Sequence, residues 1–299
     1  MTDPVNEEPG ADVESVQDGG ARRPRSPRAA AERAAGVAAE RAAGAAEAAR
    51  RRLSLSSRMR AEGFDYSDEQ LKVYRSKWRV VLRRIIQRGI FRVVVKSAVT
   101  PSVDVNRRVK SIRGPFVLLA NHTSHVDAPL LAMSLPWTQG KMLSTGVAAD
   151  YWYPKLHRRL FVRWMMNAYF IDRDGSRRNA GVSKRLLRSG VPILVFPEGG
   201  RQKTGRLGEF KAGGAALASS TGVPVVPAAI VGGFEAMPKG RFWPKPGRPP
   251  VAVFFGEPLV AEPGESVSDF NTRIRDAVAD LYQSNHDRIL GTGQQGSAS

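Results

Sequence analysis

The chain contains no cysteine. Disulfides, thiolate metal sites and thiol nucleophiles are therefore excluded together, and the absence fits a reducing compartment. Histidine is scarce, with four in 299 residues. No apolar run approaches the roughly 18 residues of a membrane-spanning helix. The stretch from Met1 to Glu8 has neither a basic region nor an apolar one, so no secretory signal is expected. Negative charge is also in deficit. Against 46 Lys and Arg stand 28 Asp and Glu, a net charge of +18. Such an excess calls for a partner of opposite sign: nucleic acid, anionic lipid headgroups or a phosphorylated substrate.

What is present divides the chain into four parts. Residues 1–67 are rich in Ala, Arg, Glu, Gly and Pro, and Glu32-Arg-Ala-Ala-Gly-Val-Ala-Ala nearly repeats from Glu40. With little that is bulky to bury, this part reads as a disordered, low-complexity tail or a helix that forms on a partner. Residues 68–100 read as a basic amphipathic helical segment. Leu71, Tyr74, Trp78, Val81, Leu82, Ile85 and Gly89 recur at helical spacing, among nine cations and no acid between Leu71 and Thr100. An apolar stripe with tryptophan and only positive charge suits an anionic membrane surface, where each basic residue adds roughly 1 kcal/mol. A helix packed on a core is the competing explanation. Nucleic acid is not expected, because no zinc site or paired aromatic motif accompanies the charge.

Residues 101–290 alternate between strand-like and helix-like stretches. Phe116–Ala120, Val191–Phe196, Val223–Val231 and Val251–Phe255 read as strands, and apolar Val162–Ile171 as a segment ending in a strand. Asp127–Leu135, Asn179–Ser189 and Gly213–Thr221 read as helices. Ser268 is placed to cap a last helix carrying Phe270, Ile274, Val278 and Leu281. The alternation predicts an α/β domain, a central mostly parallel or mixed sheet flanked by helices and preceded by the basic segment. Residues 291–299 read as a flexible tail.

Four short blocks carry the chemistry. Asn121-His122-Thr123-Ser124-His125-Val126-Asp127 follows a strand, where open α/β sheets place ligands. If the chain turns between them, Asp127 can accept the Nδ1 proton of His122 and leave Nε2 free to take a proton from a hydroxyl. That is two members of a hydrolase triad, with the substrate's alcohol in place of serine. A helix-capping role for both residues is the plain alternative, and His125 competes as base. Too few ligands cluster here for a metal site. The second block, Phe170-Ile171-Asp172-Arg173, offers a guanidinium at a strand end, suited to phosphate. The third, Phe196-Pro197-Glu198-Gly199-Gly200-Arg201-Gln202-Lys203, joins glycines that admit a ligand to the backbone with the charges of Arg201 and Lys203. The fourth, Val223-Pro224-Val225-Val226-Pro227, reads as an apolar wall.

In this order the blocks resemble those of the glycerolipid acyltransferase family, over about residues 101–260. Asn121, His122 and Asp127 match Asn-His-x-x-x-x-Asp. Phe170, Ile171 and Arg173 match Gly-x-x-Phe-Ile-x-Arg. Phe196, Pro197, Glu198, Gly199 and Arg201 match Phe-Pro-Glu-Gly-Thr-Arg-Ser, and Val223, Pro224 and Pro227 match Val-Pro-x-x-Pro. Three positions depart from the pattern: Asn167 for glycine, Gly200 for threonine and Gln202 for serine. The resemblance implies an acyl transfer from acyl-CoA or acyl carrier protein to the hydroxyl of a lysophospholipid, most simply lysophosphatidic acid, with no further cofactor. It implies His122 as general base, Asp127 as its orienting acid, Arg173 on the acceptor phosphate, and Glu198 and Gly199 around the acceptor. It further implies a peripheral enzyme at the cytoplasmic face of the membrane. Tyr151–Tyr153 with Trp164–Met166 would add a second interfacial patch. A thioester hydrolase using the same pair, and a non-catalytic lipid-binding or nucleic-acid-binding protein, are the rival classes.

Overall fold

The computed structural model describes residues 34–47, 50, 66–152, 155–171, 176–241 and 243–291, without the side chains of Asp150, Tyr151 and residues 176–179. Helix α1 (residues 34–47) has only exposed residues and belongs to an N-terminal unit, Met1–Leu53. Ser54–Ser299 form the other unit.

The basic segment is several helices rather than one. Ser67 caps α2 (Asp68–Lys72) through a reciprocal pair of hydrogen bonds with Gln70, satisfying two of the donors a helix start leaves open. A 3-10 turn, Val73–Arg75, leads to extended Ser76, which breaks the helix. Helix α3 (Lys77–Ile86) then runs through a π turn, Gln87–Phe91, into α4 (Arg92–Ala98). Leu71 and Tyr74 are buried in the core, and Val95 is buried beneath α4. The chain leaves α4 directly into strand β1 (Thr100–Val105), an element the sequence pattern did not reveal.

Next come α5 (Arg107–Ser111), β2 (Val117–Ala120), α6 (Asp127–Ser134), α7 (Trp137–Gly140) and β3 (Ser144–Ala148). Then follow α8 (Ala149–Trp152), α9 (Leu156–Met165), β4 (Tyr169–Ile171), α10 (Ser176–Arg188) and β5 (Ile193–Val195). The unit closes with α11 (Gly213–Thr221), β6 (Val225–Val231), α12 (Gly233–Ala236), β7 (Pro250–Phe255) and α13 (Val267–Leu290). Val162–Ile171 ends in a strand, as its pattern suggests, with Val162–Met165 closing α9 and Tyr169–Ile171 forming β4. One reading changes here. Helix α13 is capped by Ser266, whose hydroxyl accepts from the Asp269 amide at 3.1 Å, and not by Ser268.

The seven strands form one sheet in the order β1-β7-β6-β2-β5-β3-β4. All neighbours are parallel except β6 and β7. The central strands are buried on both faces, which is why they read as continuous apolar runs. Successive residues feed opposite layers. Leu118 and Ala120 of β2 pack with α6, whereas Val117 and Leu119 pack with α10, α11 and α13.

Asn167, the position where the resembling family has glycine, has φ of 50° and is buried. Asparagine tolerates this left-handed backbone better than other side chains. Its amide also works as a clamp, donating to the carbonyls of Tyr74 and Met142, both at 3.2 Å. The residue thus ties the N-terminal helices to the sheet, a task glycine could not perform. Asn167→Ala is expected to lose about 2–4 kcal/mol, through strain and two hydrogen bonds. Asn167→Gly is expected to lose only the hydrogen-bond part. Urea unfolding checks this, and equal midpoints for the two variants would contradict it.

Candidate active site

The register of the sheet brings two of the blocks together. In the parallel pair β2–β5, Leu119 lies opposite Val195. His122 and Glu198 each follow three residues later, so both loops leave the same edge side by side. A backbone bond joins them: the Gln202 amide donates to the His122 carbonyl at 2.9 Å. Asn121 fixes the first loop to β6. Its side chain donates to the Ile230 carbonyl at 2.9 Å and accepts from the Ile230 amide at 2.7 Å.

Asp127 is fully buried at the start of α6. Its Oδ2 accepts from the amides of Thr123 at 2.7 Å and Ser124 at 2.8 Å, and the Ser124 hydroxyl bonds to Oδ1. These bonds, with the helix N-terminus, hold the carboxylate as an acceptor. The His122 Nδ1 lies 3.0 Å from the same Oδ2. An acceptor there requires the Nδ1–H tautomer, which leaves the Nε2 lone pair free. Phe196 stacks on the His122 ring, 4.0 Å between centroids and 15° between planes. The imidazole is thereby held in position and direction. Gly233 completes the support. A Cβ there would lie 2.7 Å from Thr123 Oγ1 and 3.3 Å from Asp127 Oδ1.

For His125, the other candidate base, burial, with Arg201 and His122 nearby, pushes the pKa down to about 4, making it a weaker base than an ordinary imidazole. It faces Trp152 edge-on at 6.2 Å. It also lines an apolar cavity of about 370 Å3, with Val95, Leu130, Trp152, Phe161 and Trp243 among the other walls.

Glu198 carries the second signal. Both carboxylate oxygens are shielded from solvent and lack a hydrogen-bond partner. Burial raises its pKa to about 7, although the Gln202 side chain and the amides of Gly208 and His122 lie close enough to oppose the shift. Arg201 is half-buried, and its Nη1 is likewise shielded and unpartnered. Gly199 turns the loop with φ of 73°, and the Lys211 side chain crosses its open face. Gln202, where the resembling family has serine, occupies the space left by Gly208. Lys203 is exposed and makes no hydrogen bond or ion pair with a described residue. Arg173 lies outside the described residues, so its placement on a phosphate is not addressed. Sequence reasoning missed the clamping role of Asn121, the amides of Thr123 and Ser124, and the stacking of Phe196. Only the proximity of Asn121 to His122 could have signalled any of these.

Residues 87–231 match the family model described as Acyltransferase. This segment is similar to that family's domain. The chain is 32% identical over 128 residues to a probable 1-acyl-sn-glycerol-3-phosphate acyltransferase of Mycoplasma pneumoniae, covering 40% of this chain and 46% of that protein. It is 35% identical over 129 residues to a chloroplastic 1-acyl-sn-glycerol-3-phosphate acyltransferase of Brassica napus, covering 42% and 36%. The matches thus span less than half the length of these relatives. The fold is shared with the crystal structure of the 1-acyl-sn-glycerophosphate (LPA) acyltransferase PlsC of Thermotoga maritima. There the TM-score is 0.57 at 23% identity, over 75% of this chain and 85% of that one.

The raised Glu198 has a consequence for stability. Between the ordinary carboxylate range and about pH 7, the folded chain holds a proton on Glu198 that the unfolded chain has released. Stability therefore falls as pH rises through this window and stays lower above it. Glu198→Gln removes the penalty. It is expected to raise the melting temperature at pH 8 and to leave it nearly unchanged at pH 4. An equal gain at both values would show that Glu198 does not titrate in this way.

Proposed function

We propose that this chain transfers an acyl group from a thioester, on coenzyme A or acyl carrier protein, to the hydroxyl of a lysophospholipid. The preferred acceptor is 1-acyl-sn-glycerol-3-phosphate, giving phosphatidic acid. The observation that carries this reading is the His122–Asp127 pair, with a free Nε2, set between the unpartnered Glu198 and Arg201 and an apolar cavity.

The chemistry follows from that arrangement. His122 Nε2 takes the proton of the acceptor hydroxyl as its oxygen attacks the thioester carbonyl. The buried Asp127 carboxylate stabilises the imidazolium that forms. The tetrahedral intermediate collapses with cleavage of the C–S bond, and the imidazolium returns its proton to the leaving thiolate. No acyl-enzyme is needed, in keeping with a chain without cysteine. An acceptor carrying hydroxyls and a phosphate would satisfy Glu198 and Arg201, whose lone polar atoms are costly while unpaired. The apolar cavity suits a hydrocarbon chain.

The membrane reading rests on the surface of the N-terminal helices. On α3 several apolar side chains face outward, although Val80 is buried and Ile86 packs on the core: Trp78 is 59% exposed and Ile85 63%. Ile90 and Val93 continue this face at 71% and 68%, and Leu156, Leu160 and Phe161 of α9 are exposed as well. Apolar groups of this size, in a contiguous run, mark a contact surface. Among the described residues no helix is long and apolar enough to cross a membrane, so the face would lie in the interface. An anionic leaflet, as on the cytoplasmic side, matches the net charge. The second patch is drawn differently from its sequence expectation. Met165 and Met166 are buried, and Trp164 packs against Trp78 with 5.6 Å between centroids.

Purified protein given acyl-CoA and lysophosphatidic acid is expected to form phosphatidic acid, detected by mass spectrometry. His122→Ala should slow this by about 10²- to 10⁴-fold. Undiminished product from the variant would sink the mechanism, and thioester loss indifferent to acceptor would favour a hydrolase. The double substitution Ile85→Glu with Ile90→Glu should prevent cosedimentation with vesicles, and unchanged binding would contradict the membrane face.

A further inference from the structure

Two consecutive arginines of α3 are turned inward, which is unusual for a helix whose apolar side chains face out. Arg83 is 4% exposed and Arg84 8%. Both meet the short helix α7, and they differ in one respect. Arg83 donates from Nη2 to the Lys141 carbonyl at 3.3 Å. Arg84 lies over the Trp137 ring, 5.2 Å from its centroid, and all three of its guanidinium nitrogens are shielded and unpartnered. Burial, together with nearby Arg88, lowers its pKa to about 10.

A guanidinium that is both buried and unpaired is costly unless something completes it. Among the described residues no carboxylate pairs with Arg84. The group belongs to a five-donor fork that fits phosphate oxygens. Arg88 follows one turn later and is exposed, so two cations converge beside the outward-facing Ile85. The cover is Trp137, which is itself 41% exposed and of the type that settles at lipid interfaces.

We propose that Arg84 and Arg88 form a binding site for the phosphate of an anionic phospholipid headgroup, separate from the catalytic centre and covered by Trp137 in the free protein. At the bilayer Trp137 moves off the guanidinium into the interface, and the headgroup phosphate takes its place between the two arginines. A lipid rather than a free anion is favoured because the site borders the apolar face, so that acyl chains of the same molecule lie along Ile85. The inference rests on the membrane reading above.

Binding to vesicles of phosphatidylcholine, with and without phosphatidylglycerol, tests it. Arg84→Lys conserves charge but loses the fork. It is expected to weaken binding to the phosphatidylglycerol vesicles by about tenfold, the scale of a lost charge-assisted hydrogen bond, and to leave binding to pure phosphatidylcholine unchanged. Arg92→Lys, on an exposed position of the same surface, is expected to change neither. If Arg84→Lys binds anionic vesicles like the parent chain while Ile85→Glu with Ile90→Glu does not bind, the headgroup site is wrong and the membrane face stands. If neither substitution matters, both readings fail. Thermal melting with inorganic phosphate probes the cover. Trp137→Leu should be stabilised more than the parent chain, and Trp137→Leu with Arg84→Lys no more than the parent chain. A gain in Trp137→Leu no larger than in the parent chain would overturn the covered site.

Discussion

The site depends on one buried negative charge. Asp127 is wholly removed from water, and an unpaired carboxylate there would be very costly. Two backbone amides, a hydroxyl and an imidazole answer that cost. The same bonds force the loop between His122 and Asp127 into a tight turn. Folding of the loop and orientation of the His122 ring are therefore one event. A rotation of α6, or a side chain at Gly233, would disturb both. The clamp of Asn121 on Ile230 and the bond from Gln202 to His122 extend this rigidity to the neighbouring strands. What results is an imidazole whose geometry is set by the fold itself, the condition under which the proposed positioned base would work well.

A second theme is inversion. Interiors ordinarily collect apolar groups and surfaces collect charge. In α3 the opposite holds over one stretch: Arg83 and Arg84 point in, while Trp78, Val81 and Ile85 point out. The arrangement makes little sense in water alone. It becomes consistent if, as proposed, the medium outside is lipid. Arg79 supports this view, since its guanidinium lies over both Trp78 and Trp164, a pairing that keeps a cation level with interfacial aromatics.

Much of the core was legible in the sequence. Strands β2, β5, β6 and β7 are buried on both faces and so appear as unbroken apolar runs. The His122–Asp127 pair was legible because the spacing is short and the chain must turn there. Strand β1 was not, because it lies at the sheet edge and is mostly exposed, with Pro101, Ser102 and Asp104. Strand β3 was hidden by Ser144, Thr145 and Gly146, which carry little apolar signal. The orientation of α3 was hidden for a different reason. Periodicity identifies two faces of a helix but not which one meets the protein, and the usual assumption sends arginine outward. The raised pKa of Glu198 was equally invisible, since it arises from burial that only the assembled loops create.

The pairing of β1 with β7 places Thr100 beside Pro250. Contacts so distant along a chain are slow to form. During synthesis, β1 must therefore wait without its partner until the chain has been made through β7. Helix α13, which covers Val231, Ala252 and Phe254, comes later still. The helices before β1 are complete long before then. Nascent chains consequently present their greasy N-terminal surface early, while the sheet is open, and such intermediates are prone to aggregate. Early engagement of that surface would shelter the chain until β7 is available to pair with β1.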